Sequence, residues 1–476
     1  MTMSNISEKR ASKEEGQACK RAKATISNTF NPRYYESDFV NGFNRGFTTR
    51  IPFCDTPDKS QAYTLGYPFR AGALSNVFDE DFLKEVKKEL LGDVFYHKSN
   101  DLYEFFQSED LKLTKKPYLS ALREAIYSPE FVQLMTRLTG IKLNSTIDLA
   151  GQRYSDKSFL LCHDDDVRNE NEGRRIAFII YLVPEDWCEE DGGLLSLYST
   201  DLKDQPAEVI HSIVPKWNSV AFFQVGTTSF HEVTEILTAS KDRISITGWF
   251  YGTNDDVSED PSPEYQLLKS VPSQSIEQWI NPQYLNDGAN NQISDIFLEQ
   301  SSVELQHFLR SDVYEQVEKA VSSASWTRQI GPAHARRFRR IDFENSPDST
   351  ILKSLEAFLQ SEEFGQFLCK ITNLELRHSS CETRVFGKSE YTMCNDQAIE
   401  KDGLDVVLSL INDEWKEEWG GATHYVAEEE NLLTLWPTKN TLSLVLRDEE
   451  TLRFVRYVNH HAELERREVS LIFTEN

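Results

Sequence analysis

Two residues in the run Leu-Leu-Cys-His-Asp-Asp-Asp, His163 and Asp165, have side chains that bind divalent metals. A second histidine, His231, follows farther along the chain. Two imidazoles and one carboxylate hold three adjoining positions of an octahedral Fe(II) and leave three positions open. The sequence therefore predicts a non-haem iron centre in which His163, Asp165 and His231 are both the metal ligands and the catalytic residues.

Arg243 and Ser245 follow the second histidine in a segment with the alternation of a β-strand, Arg-Ile-Ser-Ile-Thr-Gly-Trp-Phe. Residues two apart on a strand share a face, and a guanidinium offers a permanent charge with forked donors to a carboxylate. Tyr154 and Tyr181 are candidates for further hydrogen bonds to that carboxylate. These residues predict an iron- and 2-oxoglutarate-dependent oxygenase, which converts 2-oxoglutarate, O2 and a substrate C–H bond into succinate, carbon dioxide and an alcohol.

The neighbours of Asp165 leave other interpretations open. In an extended segment His163 and Asp165 point to the same side, and Asp164 and Asp166 face away. An alternative register makes Asp164 or Asp166 the ligand. A single His-x-Asp motif is more often a surface feature than a metal site, and it is the later histidine, arginine and serine that favour iron.

Length and charge limit the possible functions. The chain has 476 residues, enough for two domains, and a formal net charge of −26. Such a charge repels phosphates, so we expect no direct nucleic-acid binding. An acidic surface would attract a basic protein partner, and a role of the charge in solubility alone explains it equally well. The seven cysteines form no Cys-x-x-Cys pair, which argues against a zinc module or a disulfide framework. No apolar start segment and no 18-residue apolar run is present, so we expect no membrane span.

Residues 1–30 are polar and lack periodicity, which predicts a disordered basic tail. The tail contains Lys9-Arg10 and Lys20-Arg21-Ala22-Lys23. Two basic clusters separated by a spacer are typical of a bipartite nuclear import signal. We therefore expect the protein in the nucleus and the cytoplasm.

The chain repeats itself in order. Residues 128–135 recur as 361–368, Gly192-Gly193 as Gly420-Gly421, and Asn218 as Asn440. In each half, helical patterns come before short β-rich runs. We predict an α+β, mostly β fold of tandem double-stranded β-helix (jelly-roll) domains, each braced by helices. The predicted boundaries are 31–252 for the catalytic domain, 253–300 for an acidic and polar linker, and 301–476 for the second domain.

The second copy loses the metal-binding set. Along the sequence, Cys394 replaces His163, Asp396 parallels Asp165, and Arg456 replaces His231. In the same comparison Glu468 replaces Arg243, and Ser470 corresponds to Ser245. An arginine does not ligate iron and a glutamate repels a dicarboxylate. The second domain is therefore predicted to be catalytically degenerate and to support the fold or bind a partner.

The first half resembles the Ofd/Tpa-type prolyl hydroxylases, which are iron- and 2-oxoglutarate-dependent. The match lies in Asp-Leu-Tyr-Glu-Phe-Phe-Gln-Ser-Glu-Asp-Leu at 101–111, the His-Asp-Asp run, Gly-Arg-Arg-Ile-Ala-Phe-Ile-Ile-Tyr-Leu-Val-Pro at 173–184, and the segments around His231 and Arg243. It is dense over residues 65–252. The family pattern favours Asp165 as the carboxylate ligand. The spacer 167–173 is longer than in the family and could alter substrate access.

The resemblance implies more than the residues themselves do. It implies Fe(II), the cosubstrates 2-oxoglutarate and O2, and ascorbate. The implied substrate is a proline in a basic protein of the small ribosomal subunit, with effects on translation accuracy and termination. The position and number of the hydroxyl groups stay open. The alternative is an oxygen-responsive binding protein that controls a transcription factor or another regulatory partner through the C-terminal domain, partly without hydroxylation.

Overall fold

The structure is a computed structural model that divides into two compact units, Met1–Ser258 and Glu259–Asn476. It describes residues 30–55, 62–169, 172–253, 275–347, 349–394, 396, 402–428 and 430–475. The predicted disordered tail and its import signal lie almost entirely outside these residues. Within them, no helix is long and apolar enough to cross a membrane.

The described residues of the first unit form four α-helices and twelve strands. The helices are α1 (Ser37–Thr49), α2 (Glu80–Leu91), α3 (Pro117–Ile126) and α4 (Pro129–Thr139). The strands are β1 (Ala62–Leu65), β2 (Ala71–Ser75), β3 (Phe95–Ser99), β4 (Tyr103–Asp110), β5 (Ile147–Tyr154), β6 (Phe159–His163), β7 (Gly173–Tyr181), β8 (Leu195–Thr200), β9 (Pro206–Ile213), β10 (Ser219–Gln224), β11 (His231–Val233) and β12 (Arg243–Gly252).

All twelve strands join one antiparallel sheet in the order β1-β2-β10-β7-β12-β5-β4-β6-β11-β8-β9, with β3 paired to β4. Alternate residues of a strand face opposite sides of a sheet. Accordingly, Ile176, Phe178 and Ile180 of β7 pack in the core that contains the helices. Ala177 and Tyr181 pack in a second core on the other face. The mostly β fold is confirmed, and the second face is the one that carries the candidate site.

The helix boundaries follow the capping residues expected from the sequence. The Ser128 side chain accepts a hydrogen bond from the Phe131 N–H at the start of α4, and Pro129 is its first residue. Gly140 ends α4 in the left-handed conformation at φ 72°. Asp79 caps α2 by accepting from the Phe82 N–H. These helices cover one face of the sheet.

The second unit contains α5 (Asp287–Gln300), α6 (Ser311–Ser322), α7 (Ser349–Leu359) and α8 (Glu362–Thr372). Its strands are β13 (Ser302–Gln306), β14 (Arg336–Arg337), β15 (Arg339–Arg340), β16 (His378–Phe386), β17 (Tyr391–Thr392), β18 (Gly403–Ser409), β19 (Thr423–Ala427), β20 (Glu430–Leu435), β21 (Thr441–Arg447), β22 (Leu452–Val455) and β23 (Arg466–Thr474). They form sheets in the orders β13-β21-β18-β23-β16-β15, β14-β17 and β20-β19-β22.

Residues 254–274 of the predicted linker at 253–300 lie outside the described residues, and from residue 275 onward the structure differs from the prediction. Residues 276–278 and 282–284 form short 3-10 helices, and α5 follows them. The side chains of Trp279, Ile280, Ile293 and Phe297 are buried in the core of the second unit. This stretch is mostly polar, but its few apolar residues are sufficient for packing. Ile293 and Phe297 lie on one face of α5, and that face packs in the core.

Each unit contains the same internal hydrogen bonds at the positions where the sequence repeats. Trp187 Nε1 donates to the Gly192 carbonyl at 3.1 Å, and Trp415 Nε1 donates to the Gly420 carbonyl at 2.8 Å. The Asn218 amide binds both the N–H and the C=O of Phe78, and the Asn440 amide binds both groups of Leu309. The described strands of the second unit form three separate sheets, so its assignment as a jelly roll stays a prediction.

Candidate iron and cosubstrate site

The two candidate histidines are neighbours across a strand pair. His163 ends β6 and His231 begins β11, and the two are direct partners in the antiparallel register. Their ring centroids are 4.2 Å apart. Asp165 completes the cluster, and one potential ligand atom from each residue lies within 4.8 Å of the others. The fold therefore brings together the three residues predicted to bind iron.

Backbone carbonyls fix which imidazole nitrogen faces the cluster. His163 Nδ1 lies 2.7 Å from the Leu161 carbonyl oxygen, and His231 Nδ1 lies 2.8 Å from the Ser229 carbonyl oxygen. A carbonyl only accepts, so each Nδ1 carries the proton. Each Nε2 is then left with a free lone pair, which is the arrangement that an imidazole ligand to a metal needs.

Asp165 does not lie on an extended segment with His163, as the sequence suggested. Strand β6 ends at His163, and Asp165 has φ 66°, in the left-handed region. Aspartate tolerates this region better than most residues because its short side chain bonds locally. Its carboxylate oxygens lie 3.3 Å from His163 Nε2 and 3.4 Å from His231 Nε2. Convergence thus comes from a turn, not from strand alternation.

The flanking aspartates are occupied elsewhere. Asp164 Oδ1 accepts from the Asp166 N–H at 3.0 Å, and the Asp166 carboxylate pairs with Arg168 Nε at 2.6 Å. The Ser229 hydroxyl donates to the Asp164 carbonyl and fixes this turn beside the second histidine. The geometry favours Asp165 over its two neighbours as the carboxylate of the cluster.

Trp249 and Arg174 surround the Asp165 carboxylate, and neither was singled out from the sequence. Trp249 Nε1 donates to Asp165 Oδ2 at 2.9 Å. Arg174 Nη1 is 3.8 Å from Asp165 Oδ1, and its guanidinium stacks 3.8 Å from the Trp249 ring centroid. Burial opposes ionisation, but the imidazoles of His163 and His231 beside the carboxylate hold the pKa of Asp165 well below its ordinary value. The carboxylate is therefore charged and restrained from both sides.

Arg243 is the most deeply buried charged group near the cluster, with 1% of its surface exposed. Its Nε donates to the Gly193 carbonyl at 2.9 Å. Gly193 has φ 67°, and a Cβ there would lie 2.8 Å from Arg243 Cδ, so a larger residue would displace the arginine. Arg243 Nη2 is buried and has no hydrogen-bond partner among the described residues.

The other three predicted cosubstrate residues surround Arg243. Ser245 is fully buried, and its hydroxyl accepts from Arg243 Nη1 at 3.4 Å. The guanidinium lies 5.0 Å from the Tyr154 ring centroid and 5.1 Å from that of Tyr181. The Tyr181 hydroxyl is buried and lacks a well-aligned partner among the described residues. Burial raises the pKa of Tyr181, and the nearby guanidinium partly offsets this effect.

A cavity of about 220 Å³ connects the histidine cluster with Arg243. Tyr154 and Trp249 line it, whereas Tyr181 lines a different cavity. Further aromatic and polar side chains from four strands also line the cavity: Tyr103, Phe105, Gln107, Gln152, Phe223 and Thr247. Arg243, Thr247 and Trp249 share one face of β12, so strand alternation in the sequence could have identified the last two.

These residues fit the groups that the sequence predicted. Two imidazole nitrogens and a carboxylate match Fe(II), and all three residues line the cavity. Arg243, which lines this cavity, has in Nη2 a buried donor that a ligand carboxylate would satisfy. A buried guanidinium without an acidic partner is costly unless a ligand compensates its charge.

Among its described residues the second unit has no equivalent cluster, and the strand register corrects two sequence alignments. His231 pairs with Leu197 in the first unit, and the corresponding pair in the second is Arg453 with Tyr425. Arg453, and not Arg456, therefore takes the position of His231. Asp396, the counterpart of Asp165, is paired with Arg336. The alignment of the two halves by sequence is shifted by a few residues here, because the connections before the last strands differ in length.

The last strand shows a second correction. Arg243 pairs with Tyr154 in the first unit, and Arg466 pairs with Phe386 in the second. Ser245 pairs with Tyr181, and Glu468 pairs with Ser409. Arg466 is thus the counterpart of Arg243, and Glu468 is the counterpart of Ser245. The predicted loss of the arginine is wrong.

Comparisons with known proteins agree with this geometry. Residues 149–251 match the 2OG-Fe(II) oxygenase superfamily, and residues 272–475 match the family described as oxoglutarate and iron-dependent oxygenase degradation C-term. Prolyl 3-hydroxylase OGFOD1 of Xenopus laevis is 37% identical over 83% of this chain and 84% of its own length. The chain belongs to the OGFOD1 prolyl hydroxylase family. The resemblance found in the sequence is confirmed.

Further relatives fit the OGFOD1 family assignment. Prolyl 3-hydroxylase OGFOD1 of Mus musculus is 33% identical over 86% of this chain and 88% of its own length. Prolyl 3,4-dihydroxylase OGFOD1 of Ostreococcus tauri is 29% identical over 87% of this chain and 96% of its own length. This OGFOD1-type chain is a 2-oxoglutarate-dependent prolyl hydroxylase that uses Fe(II) and O2.

Proposed function

We propose that this enzyme hydroxylates a proline of a small-subunit ribosomal protein and thereby affects translation accuracy and termination. The proposal is supported most directly by the His163, Asp165 and His231 cluster, which opens into the same cavity as Arg243. The ribosomal substrate follows from the family resemblance. A net charge of −26 adds a physical reason, because an acidic protein attracts a basic ribosomal protein.

The cavity wall suits a prolyl side chain. Tyr103, Phe105, Phe223 and Trp249 present aromatic surface close to the cluster. A pyrrolidine ring is apolar and has no N–H to satisfy, so it packs against such surfaces without an unpaired donor. The bound substrate would place its ring C–H bonds next to the open side of the cluster and exclude water from it.

We assign a role to each of these residues. His163, Asp165 and His231 would hold Fe(II), which supplies the oxidising chemistry together with 2-oxoglutarate and O2 when bound. Arg243 would bind the distal carboxylate of 2-oxoglutarate, with Ser245 orienting the guanidinium. The buried hydroxyl of Tyr154, which lines the same cavity, would donate a further hydrogen bond, and Tyr181 stays a candidate for another from beside the guanidinium.

We also propose a reductant and the cellular compartments in which the enzyme acts. Ascorbate would keep the metal reduced between turnovers. The enzyme would act in the cytoplasm, where ribosomes work, and in the nucleus, to which the basic clusters of residues 1–30 would direct it. The ring position and the number of hydroxyl groups are left open.

The test compares ribosomal proteins from cells that express the wild type, His163→Ala or no enzyme. Mass spectrometry should find a proline with an added oxygen only with the wild type. Unmodified prolines in all three samples would refute the ribosomal substrate. A modified proline that persists without the enzyme would assign the reaction to another protein.

A second candidate function is oxygen-responsive control of a regulatory partner through the C-terminal domain. The name of the family that residues 272–475 match contains the word degradation. A domain connected with degradation supports control of a partner protein. The two candidates differ in their need for the iron site. A cellular effect that survives in both His163→Ala and Asp165→Ala favours partner binding, and its loss in both favours hydroxylation.

A further inference from the structure

The second unit keeps an arginine where the first unit is proposed to bind the cosubstrate. Arg466 and Arg243 both begin the last strand of their unit, and both donate to the carbonyl of the second glycine in a glycine pair, Gly421 and Gly193. Arg466 lies over the Phe386 ring at 5.5 Å, as Arg243 lies over Tyr154 at 5.0 Å. The arginine environment is therefore common to the two units.

The two arginines differ in what lies against them. Arg243 Nη2 is buried without a described partner. Arg466 instead donates to Glu468 Oε2 from Nε at 2.7 Å and also from Nη2. A second buried guanidinium, Arg384, donates from Nε to Glu468 Oε1 at 2.6 Å. The Glu468 carboxylate is thus held by two arginines and is 1% exposed.

Glu468 takes the position of Ser245 and reaches the same guanidinium. Residues two apart on a strand share a face, so a longer acidic side chain at this position returns to the arginine. Burial opposes its ionisation, but Arg466 and Arg384 lower the pKa of Glu468 to about 2. The side chain is therefore a permanent carboxylate at neutral pH, bonded directly to the Arg466 guanidinium.

We infer that the second unit retains a carboxylate-binding site that Glu468 of the same chain occupies in place of a small external carboxylate. The inference rests on the role proposed for Arg243. It explains why a degenerate domain keeps a buried arginine, since the internal carboxylate supplies the compensating charge. It also predicts that shortening Glu468 reopens the site to a small carboxylate such as acetate.

The test uses Glu468→Ser, which restores the residue type found at Ser245, in full-length metal-free protein. Arg243→Ala is included so that the first unit cannot bind the probe. Acetate is compared with chloride at equal ionic strength, and binding is measured by calorimetry and by the shift in unfolding temperature. We expect acetate to bind and to raise the unfolding temperature of Arg243→Ala/Glu468→Ser, and to do neither in Arg243→Ala alone.

A matched control is Glu390→Ser in the same Arg243→Ala background. Glu390 is also buried, at 1% exposure, and is paired with Arg339. If acetate raised the unfolding temperature of both variants equally, it would be compensating any unpaired buried charge. That result would overturn the inference. No acetate response in the Glu468→Ser variant would also overturn it.

A second variant covers the case in which Glu468→Ser does not fold. Glu468→Gln keeps the shape and an acceptor oxygen but removes the charge. We expect its folding equilibrium constant to fall by about tenfold or more at neutral pH. An unchanged constant would contradict the inference. None of these measurements requires hydroxylase activity, so they stand apart from a failure of the proposed ribosomal substrate.

Discussion

The Trp249→Phe substitution isolates the hydrogen bond that restrains the Asp165 carboxylate. Trp249 Nε1 donates to Asp165 Oδ2 at 2.9 Å. Phenylalanine retains an aromatic ring for packing with Arg174 but lacks the N–H. A hydrogen bond to a charged group contributes about 1.5–3 kcal/mol. Because Trp249 is only partly buried, we expect the lower part of this range, which is about a tenfold loss of Fe(II) affinity.

The assay is an anaerobic Fe(II) titration against a competing chelator, with unfolding measured in parallel. Trp217→Phe is the matched control, because Trp217 Nε1 also donates to a carboxylate, Glu80 Oε1 at 2.7 Å, but does not line the cavity. We expect the control to bind iron like the wild type. Equal iron affinity in Trp249→Phe and the wild type, or equal losses in both variants, would refute the reasoning.

Three other substitutions have distinct expected outcomes. Arg243→Ala should weaken 2-oxoglutarate binding by about a hundredfold or more in calorimetry while iron affinity stays near the wild-type value, and parallel losses would contradict the division of roles. Glu468 has a pKa of about 2, below its ordinary 4.5, so its stabilisation is present above pH 4.5 and is lost as the pH falls toward 2. Glu468→Gln should therefore show a flatter acid-unfolding profile there, and an unchanged slope would count against the ion pair. Asn218→Ala removes hydrogen bonds to both backbone groups of Phe78 and should cost about 2–4 kcal/mol in urea unfolding, whereas a cost below about 1 kcal/mol would exclude a structural role for the amide.

Local sequence patterns were sufficient for much of the first unit. The Ser128-Pro129 start and the Gly140 end of α4 follow from capping preferences that act over a few residues. The alternation in β12 placed Arg243 and Ser245 on one face and Ile244 on the other, and the structure has the same arrangement. Such features depend on neighbours in the chain, so the sequence contains their determinants.

Features that depend on distant contacts were not predictable in this way. Asp165 reaches the histidines through a positive φ, and the turn that contains it is fixed by Ser229, a residue far along the chain. The counterparts of His231 and Arg243 in the second unit depend on strand register, which sequence spacing did not determine. The sequence predicts a linker around Trp279 because the apolar residues there are few, but the structure buries them in the core of the second unit.

The most direct test of the central claim is the amount of 2-oxoglutarate converted to succinate by Fe(II)-reconstituted protein with a proline-containing ribosomal protein as substrate. The wild type should form succinate and hydroxyproline together, and His163→Ala and His231→Ala should form neither while remaining folded. Equal turnover in the wild type and the two histidine variants would contradict an iron centre at this cluster.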